Sequence, residues 1–411
     1  MGSFNGQTVA IIGARGIGEA IADRCSKEGA NLVLTYYEHA DRLEKVAEKA
    51  TELGVNVLSL QFDITKAEDV DRLVAETTQR FGKADVLVLS AAGGLEPGKE
   101  DDLEWPFVIN CDAQVSLAKQ ASRHWPGIKI IYLTSLWAHC YGQVQMLPGY
   151  GSVAASKNAG EAVLRTLDPT YSRVGIVCAH IVARTMVEGL FRRRVRQLHA
   201  ELQATTPTGS FPSTEEVANA VIELASEKFA PGKTVYVGGD GSALPMLHDV
   251  SLGRTEIAQM LPMYGEDALY LDAFEYNRKA KGAPATGMAT LRIAEERCEG
   301  HFRDPYGKIF PAHKLMEAAA QGIGMLWLQT HIGTEEFVGM YKRLGEASFE
   351  KPALPGDILR LEVKLMHECF SHFTGSCMVY NNSSGELVAS IERVQLAMVP
   401  RGIAERMLRR S

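Results

Sequence analysis

A chain of 411 residues with 46% hydrophobic and 23% charged side chains is long enough for two or three globular domains. It is also apolar enough to fill their cores without disulfide staples. Its formal charge of −7, spread over both halves, lacks the basic excess of a nucleic-acid binder. The seven cysteines form no Cys-x-x-Cys pair and no His/Cys cluster, so no metal site is expected and reduced thiols in a cytoplasmic protein fit best. Neither a signal peptide nor a membrane span is expected.

Thr8–Ile12 is a short β-branched run, followed by Gly13-Ala-Arg-Gly-Ile-Gly18, a helical pattern through Cys25 and a second strand-like run, Asn31–Thr35. This is a β-turn-α-β unit. Gly13, Gly16 and Gly18 fall where a dinucleotide pyrophosphate meets a helix N-terminus. Strand and helix patterns then alternate: Val55–Phe62, Ala67–Arg80, Asp85–Ser90, Val115–Arg123, Ile128–Thr134, Asn158–Leu167, Val174–His180, Thr214–Ser226 and Lys233–Val237. Alternation of this kind implies an α/β doubly wound, Rossmann-type parallel sheet over residues 1–245.

The order of motifs resembles the short-chain dehydrogenase/reductases. The matching pieces are the glycine turn, Asp63 after the third strand, Ala91-Ala-Gly-Gly94 after the fourth and Asn110 in the next helix. Ser135 after the fifth strand, Lys157 on the following helix and Val237-Gly-Gly-Asp-Gly241 complete the series. The resemblance implies cofactor contacts from Gly13, Arg15, Gly16, Gly18, Asp63, Asn110 and Lys157, with Thr185 from the Arg184-Thr185 pair after the sixth strand. Some pieces depart from the pattern. The glycine turn is one residue short, Ser90-Ala-Ala-Gly replaces Asn-Asn-Ala-Gly, and the Pro-Gly after the sixth strand is absent.

The catalytic pair departs most. Ketoreductases of this group pair a Tyr with a Lys four residues later, but here that position is Val153, which has no proton to give. The nearest tyrosine is Tyr150, seven residues before Lys157. Seven residues are two helical turns, so both side chains are expected on one helical face. Tyr-x6-Lys resembles the enoyl-acyl-carrier-protein reductases, which implies Tyr150, Lys157 and Ser135 as catalytic residues, with Tyr141 as a rival phenol. No acidic residue ends the second strand (Thr35-Tyr36-Tyr37), and Arg15 suits a 2′-phosphate, so NADPH is favoured over NADH. The run Arg192-Arg193-Arg194 with Arg196 is read as a solvated face or as a dock for an acidic carrier protein.

Ser242–Gly253 breaks the periodicity, and residues 246–253 are read as a linker. Beyond it, a short helix pattern (Thr255–Leu261), strand-like runs (Ala268–Asn277 and Met288–Arg297), one long apolar helix (Lys314–Gln329) and four more strand-like runs (Phe337–Ser348, Ile358–His367, His372–Asn381, Leu387–Val399) follow. One helix among antiparallel strands is an α+β pattern. Glu299-Gly-His301-Phe302, Phe310-Pro311, Met316-Glu317-Ala-Ala-Ala-Gln321, Phe349-Glu-Lys-Pro352 and Leu354-Pro-Gly-Asp357 resemble the hot-dog fold of the 3-hydroxyacyl-carrier-protein dehydratases over residues 254–400. The resemblance implies His301 acting on the α-proton and Glu317 on the departing hydroxyl, with His313 as the rival base. It also implies a site shared across a homodimer or homotetramer. Ala312 stands where the family has Gly, and residues 401–411 form a basic tail.

Together the halves read as a bifunctional enzyme of fatty-acid or polyketide synthesis. It would dehydrate a 3-hydroxyacyl thioester, carried by acyl carrier protein or coenzyme A, and reduce the enoyl product. Two alternatives stand beside this: ketoreductase plus dehydratase, or an active dehydratase on a silent reductase-like scaffold.

Overall fold

The computed structural model describes residues 3–38, 40–96, 98–99, 102, 104–180, 199–278, 282–298, 307–334, 337–369, 372–400 and 403–404. The chain forms two compact units. The first is Met1–Cys140 with Ser152–Leu244; the second is Tyr141–Gly151 with Pro245–Ser411.

In the first unit, seven strands form one sheet: β1 (Thr8–Ile12), β2 (Asn31–Tyr36), β3 (Val57–Gln61), β4 (Val86–Leu89), β5 (Ile128–Ser135), β6 (Ser172–Ala179) and β7 (Thr234–Val237), in the order β3-β2-β1-β4-β5-β6-β7. Every neighbouring pair is parallel. Strands covered by helices on both faces need apolar residues at every position. Accordingly, β1 and β4 are buried throughout.

The described helices of this unit are α1 (Ile17–Lys27), α2 (Ala40–Glu52), α3 (Ala67–Phe81), the single turn α4 (Trp105–Phe107), α5 (Ala113–His124), α6 (Leu136–His139), α7 (Gly151–Leu164), α8 (His199–Ala204) and α9 (Thr214–Ser226). Helix α2, for which the sequence pattern gives no expectation, is charge-rich and covers the sheet with Leu43, Val46 and Ala50. Helix α9 starts on a capping box, Ser213 and Glu216 bonding each other's backbone N–H, which satisfies two orphan helix donors. Since β1 neighbours both β2 and β4, the strand order reverses there. A crevice at that switch point is where sheets of this kind take ligands.

The second unit carries β8 (Val250–Gly253), α10 (Arg254–Met260), β9 (Ala273–Tyr276), β10 (Thr286–Arg292), α11 (Ala312–Thr330), β11 (Phe337–Arg343), β12 (Glu346–Phe349), β13 (Ile358–Glu368), β14 (His372–Asn381) and β15 (Leu387–Pro400). The strands pair antiparallel in the order β11-β15-β14-β13-β10-β9-β8, with β12 also on β15. Helix α11 packs on the sheet through Leu315, Ala319, Ile323 and Leu326. Gly375 of β14 lets it approach, since a Cβ there would meet Ile323 Cγ2 at 2.6 Å.

Several expectations are corrected. Val250–Gly253, assigned to the linker, is strand β8 on β9, held by main-chain pairing that hydropathy does not report. Phe337–Ser348 is two strands on β15, broken at Leu344–Gly345, where Gly345 faces Arg393 of β15, a residue with φ +54°. Residues 268–272 are not strand; the main chain of Tyr270 bonds instead to the Gln321 side chain. Segment Tyr141–Gly151, read as a loop of the reductase half, belongs to the second unit. It bridges Val144 to Met246 and Met146 to His331. Among the described residues, no helix is long and apolar enough to cross a membrane.

Candidate active site

The glycine turn sits at the switch point, between β1 and α1. Gly13 has φ +85°, and a Cβ on it would lie 2.9 Å from the backbone nitrogen of Ala91, in the turn after β4. A Cβ on Gly18 would lie 2.2 Å from the Gly13 carbonyl oxygen. Gly16, at φ 60°, precedes the first residue of α1. The turn is tied to β2 by Thr35, whose hydroxyl accepts from Gly13 N–H at 3.0 Å and donates to Ile11 O at 3.2 Å. In the sequence, Thr35 gives no signal beyond ending the strand without an acid. A backbone cradle lined by the glycines, opening on a helix N-terminus, fits a dinucleotide pyrophosphate. Arg15 is exposed beside it.

Asp63 follows β3, and its carboxylate caps the next turn, accepting from Thr65 N–H at 3.0 Å and Thr65 hydroxyl at 2.6 Å. Asn110 lies in a π-helical turn, Val108–Asp112, and is buried. Its Oδ1 accepts from Gly93 N–H at 3.1 Å; its amide donates to Gly93 O at 2.8 Å and to Ser156 Oγ at 3.0 Å. Tyr132 of β5 donates to the main-chain oxygens of Asn110 and Lys157 at 3.2 and 3.3 Å. Tyr132 was missed, because a tyrosine inside an apolar strand gives no sequence signal beyond packing.

Ser135 ends β5, and its hydroxyl accepts from Ala138 N–H at 3.2 Å, capping α6. Lys157 is half-buried on α7, and burial pushes its ammonium down to about 8. Val153, one turn earlier, is buried at 3% exposure. It packs so closely on the Ala91–Gly94 turn that a Cβ on Gly94 would meet its Cγ2 at 3.0 Å.

Tyr150 is not on the helix with Lys157, contrary to the two-turn expectation. Helix α7 starts at Gly151. Gly149 before it has φ +85°, which an α-helix cannot use. The Tyr150 N–H closes a turn onto Leu147 O at 3.0 Å. The glycines on either side donate to one buried carboxylate, that of Glu368 at the end of β13. Tyr141 belongs to the same segment, and its hydroxyl is pushed up to about 12, by burial first and then by Glu368 and Tyr276.

In the second unit, Glu317 is half-buried near the start of α11, beside Tyr264. Burial, followed by this carboxylate, pushes the Tyr264 hydroxyl far up. His313 is exposed. Pro311 caps α11, so the helix begins at Ala312. His301, Glu299, Phe302, Arg184, Thr185, Arg192, Arg193, Arg194 and Arg196 lie outside the described residues, as does the basic tail apart from residues 403–404.

Residues 11–239 match the family model described as enoyl-(acyl carrier protein) reductase. A 3-oxoacyl-[acyl-carrier-protein] reductase of Staphylococcus epidermidis is 28% identical over 240 residues, covering 55% of this chain and 94% of its own length. A short-chain dehydrogenase/reductase of Serratia marcescens superposes with a TM-score of 0.50 at 27% identity, covering 58% of this chain and all of its own. An angucycline C-6 ketoreductase, solved with NADP bound, matches at TM-score 0.50 over 58% of this chain and 97% of its own. At 24% identity that match carries the fold alone.

Proposed function

The chain belongs to the short-chain dehydrogenase/reductases, in the family described as enoyl-(acyl carrier protein) reductase, and from that premise we propose a two-step enzyme of acyl-thioester metabolism. Its second unit, read as a hot-dog dehydratase, eliminates water from a 3-hydroxyacyl thioester. Its first unit reduces the resulting trans-2-enoyl thioester.

Val153 carries the reductase reading. A ketoreductase needs a phenol at that position, and here the position holds an aliphatic side chain buried against the turn after β4. The nearest tyrosine toward the N-terminus is Tyr150. A keto substrate needs a proton on the oxygen beside the carbon that accepts hydride. An enoyl thioester accepts hydride at its β-carbon and then needs a proton on the enolate, farther along the acyl chain. Tyr150 supplies that proton. Lys157 holds the ribose hydroxyls and, as a cation, favours the ionised phenol. NAD(P)H, which this family uses, provides the hydride when bound. The glycine cradle, the exposed Arg15 and the lack of an acid at the end of β2 favour NADPH.

For the second unit, support comes from the long helix α11 on an antiparallel sheet, with half-buried Glu317 near its start. Two groups of different pKa flanking a β-hydroxyl suit this elimination. His301 takes the α-proton, and Glu317 protonates the departing hydroxyl. The partner is an acyl carrier protein or coenzyme A thioester, and the active form is a homodimer or homotetramer. Product of one unit and substrate of the other share one chain, which raises the local concentration.

NADPH consumption by the purified protein is the test. Loss of NADPH with a crotonyl thioester, abolished in Tyr150→Phe, is expected. Loss with an acetoacetyl thioester alone would make the first unit a ketoreductase. No loss with either would make it a scaffold.

A further inference from the structure

Glu368 is a buried carboxylate at the end of β13 in the second unit, and the chemistry above does not use it. Among the described residues, four groups converge on it. Oε1 accepts from Gly149 N–H at 2.6 Å and from Trp327 Nε1–H at 2.9 Å. Oε2 accepts from Gly151 N–H at 3.2 Å and is bonded to His331 Nε2 at 2.7 Å. Two of these groups stand at the C-terminal end of α11. The other two are the main-chain N–H groups on either side of Tyr150, 219 and 217 residues away in sequence.

Burying a carboxylate costs several kcal/mol unless every oxygen is bonded, so this one has been given a full set of partners. Desolvation works to raise its pKa, but the His331 charge and the bonds from His331, Gly149 and Trp327 outweigh it and hold it below the ordinary value. The holder is itself rigid. The Trp327 ring stacks on Phe373 at 4.9 Å and on His331 at 5.2 Å. The ring Nδ1 of His331 is anchored at 2.9 Å on Trp327 O.

The glycines match this arrangement. A Cβ on Gly151 would stand 2.4 Å from Oε2 of Glu368, and Gly149 needs its positive φ to turn its N–H inward. Nearby, Met146 N–H donates to Thr330 O and Met146 O accepts from Ile332 N–H, so the segment is stitched to the same end of α11.

We propose that Glu368 is a positioning residue for Tyr150: its carboxylate clamps the main chain on both sides of the tyrosine and so fixes where the phenol points. This rests on Tyr150 being the proton donor of the reductase.

A double-mutant cycle on the full-length protein tests it, with NADPH and a crotonyl thioester. Rates are normalised to NADPH-binding sites titrated by fluorescence, so that misfolded protein does not count. Tyr150→Phe reports on the proton donor. Glu368→Gln keeps the shape and the Oε1 bonds, but turns an amide toward Gly151 N–H. Gly151→Ala keeps the charges of the carboxylate and its partners but sets a Cβ against Oε2, so it forces the carboxylate away from the clamp. A misplaced catalytic group costs up to ~100-fold, so each of the last two variants is expected to lower kcat by about 10- to 100-fold with KM for NADPH unchanged. Added to Tyr150→Phe, neither should cost anything further, because both act through the phenol.

Losses that multiply in the double variants, or full kcat in both Glu368→Gln and Gly151→Ala, would overturn the positioning role while leaving Tyr150 as donor. Full kcat in Tyr150→Phe would overturn the donor itself, and the clamp's purpose with it.

Discussion

The first and last glycines of the turn after β1 are packed backbone to backbone, a Cβ on Gly18 falling 2.2 Å from the carbonyl oxygen of Gly13. No flexible side chain is available to give way, so the turn or the start of α1 must shift. Gly18→Ala is therefore expected to cost roughly 1–3 kcal/mol of stability. It should also weaken NADPH binding at least tenfold, because the N–H groups of α1 lose their aim. Thermal unfolding and a fluorescence titration with NADPH check the two effects. An unchanged dissociation constant would remove the turn from the cofactor site.

Asn110 is expected to matter for the shape of the site and not for its chemistry. Asn110→Ala leaves the buried N–H and carbonyl of Gly93 without their side-chain partner, and each such group costs about 1–3 kcal/mol. The expected loss is about 3 kcal/mol, with faster amide hydrogen exchange at Gly93. Ser156→Ala removes the third bond of the cluster and the hydroxyl's own bond to Val153 O, leaves both Gly93 bonds in place, and is expected to cost about 1–2 kcal/mol. Equal effects of the two variants would contradict the geometry.

The parallel sheet was legible because strands buried on both faces read as unbroken apolar runs, and the glycine turn because only glycine tolerates such contacts. The second unit's strands were legible by the same means, but their ends were not. Val250–Gly253 is strand through main-chain pairing with β9, although its alternate residues are exposed. Helix α2 gives little signal because, among its described side chains, only Leu43, Val46 and Ala50 are buried, too thin a stripe. The site was half legible. Spacing placed Tyr150 two turns from Lys157 on a helix, yet Gly149 and the pull of Glu368 put it in a turn before α7. Glu368 could not be found from sequence, since its partners lie more than two hundred residues away or at the C-terminal end of α11.

Burial pushes the Lys157 ammonium from 10.5 down to about 8 in the free protein. In the proposed reductase the charged lysine holds ribose and lowers the phenol, so kcat/KM for NADPH is expected to fall as pH climbs through about 8, with Lys157→Arg moving that limb upward. Stability carries the opposite sign. Below about 8 the lysine is charged in both states and its burial penalty is constant. From there to 10.5 the unfolded chain binds the extra proton, so the native state gains stability as pH rises. Chemical denaturation at pH 7.5 and 9.5, against Lys157→Met, isolates this gain. A gain of the same size in Lys157→Met would assign it to other groups.

Glu161, one turn beyond Lys157 on α7, is 4% exposed and joins three elements. Its Oε1 accepts from Arg165 Nε–H at 3.0 Å and Nη2–H at 2.8 Å, and lies 2.8 Å from His139 Nδ1 on α6. Tyr236 of β7 is bonded to the other ring nitrogen of His139 at 3.1 Å. Desolvation works to raise the carboxyl's pKa, but His139 and then Arg165 prevail and hold it below 4.5. A depressed carboxylate contributes stability that is present above the unfolded value and lost as pH falls through the folded one. Part of the protein's acid lability below about pH 4.5 should thus reside here. Glu161→Gln is expected to flatten that limb at a modest cost near neutrality. Glu161→Ala leaves Arg165 facing an emptied, buried site and is expected to cost about 3–5 kcal/mol at pH 7. Urea unfolding from pH 3.5 to 7 separates the two, and an acid limb of unaltered slope in Glu161→Gln would place the acid-labile group elsewhere.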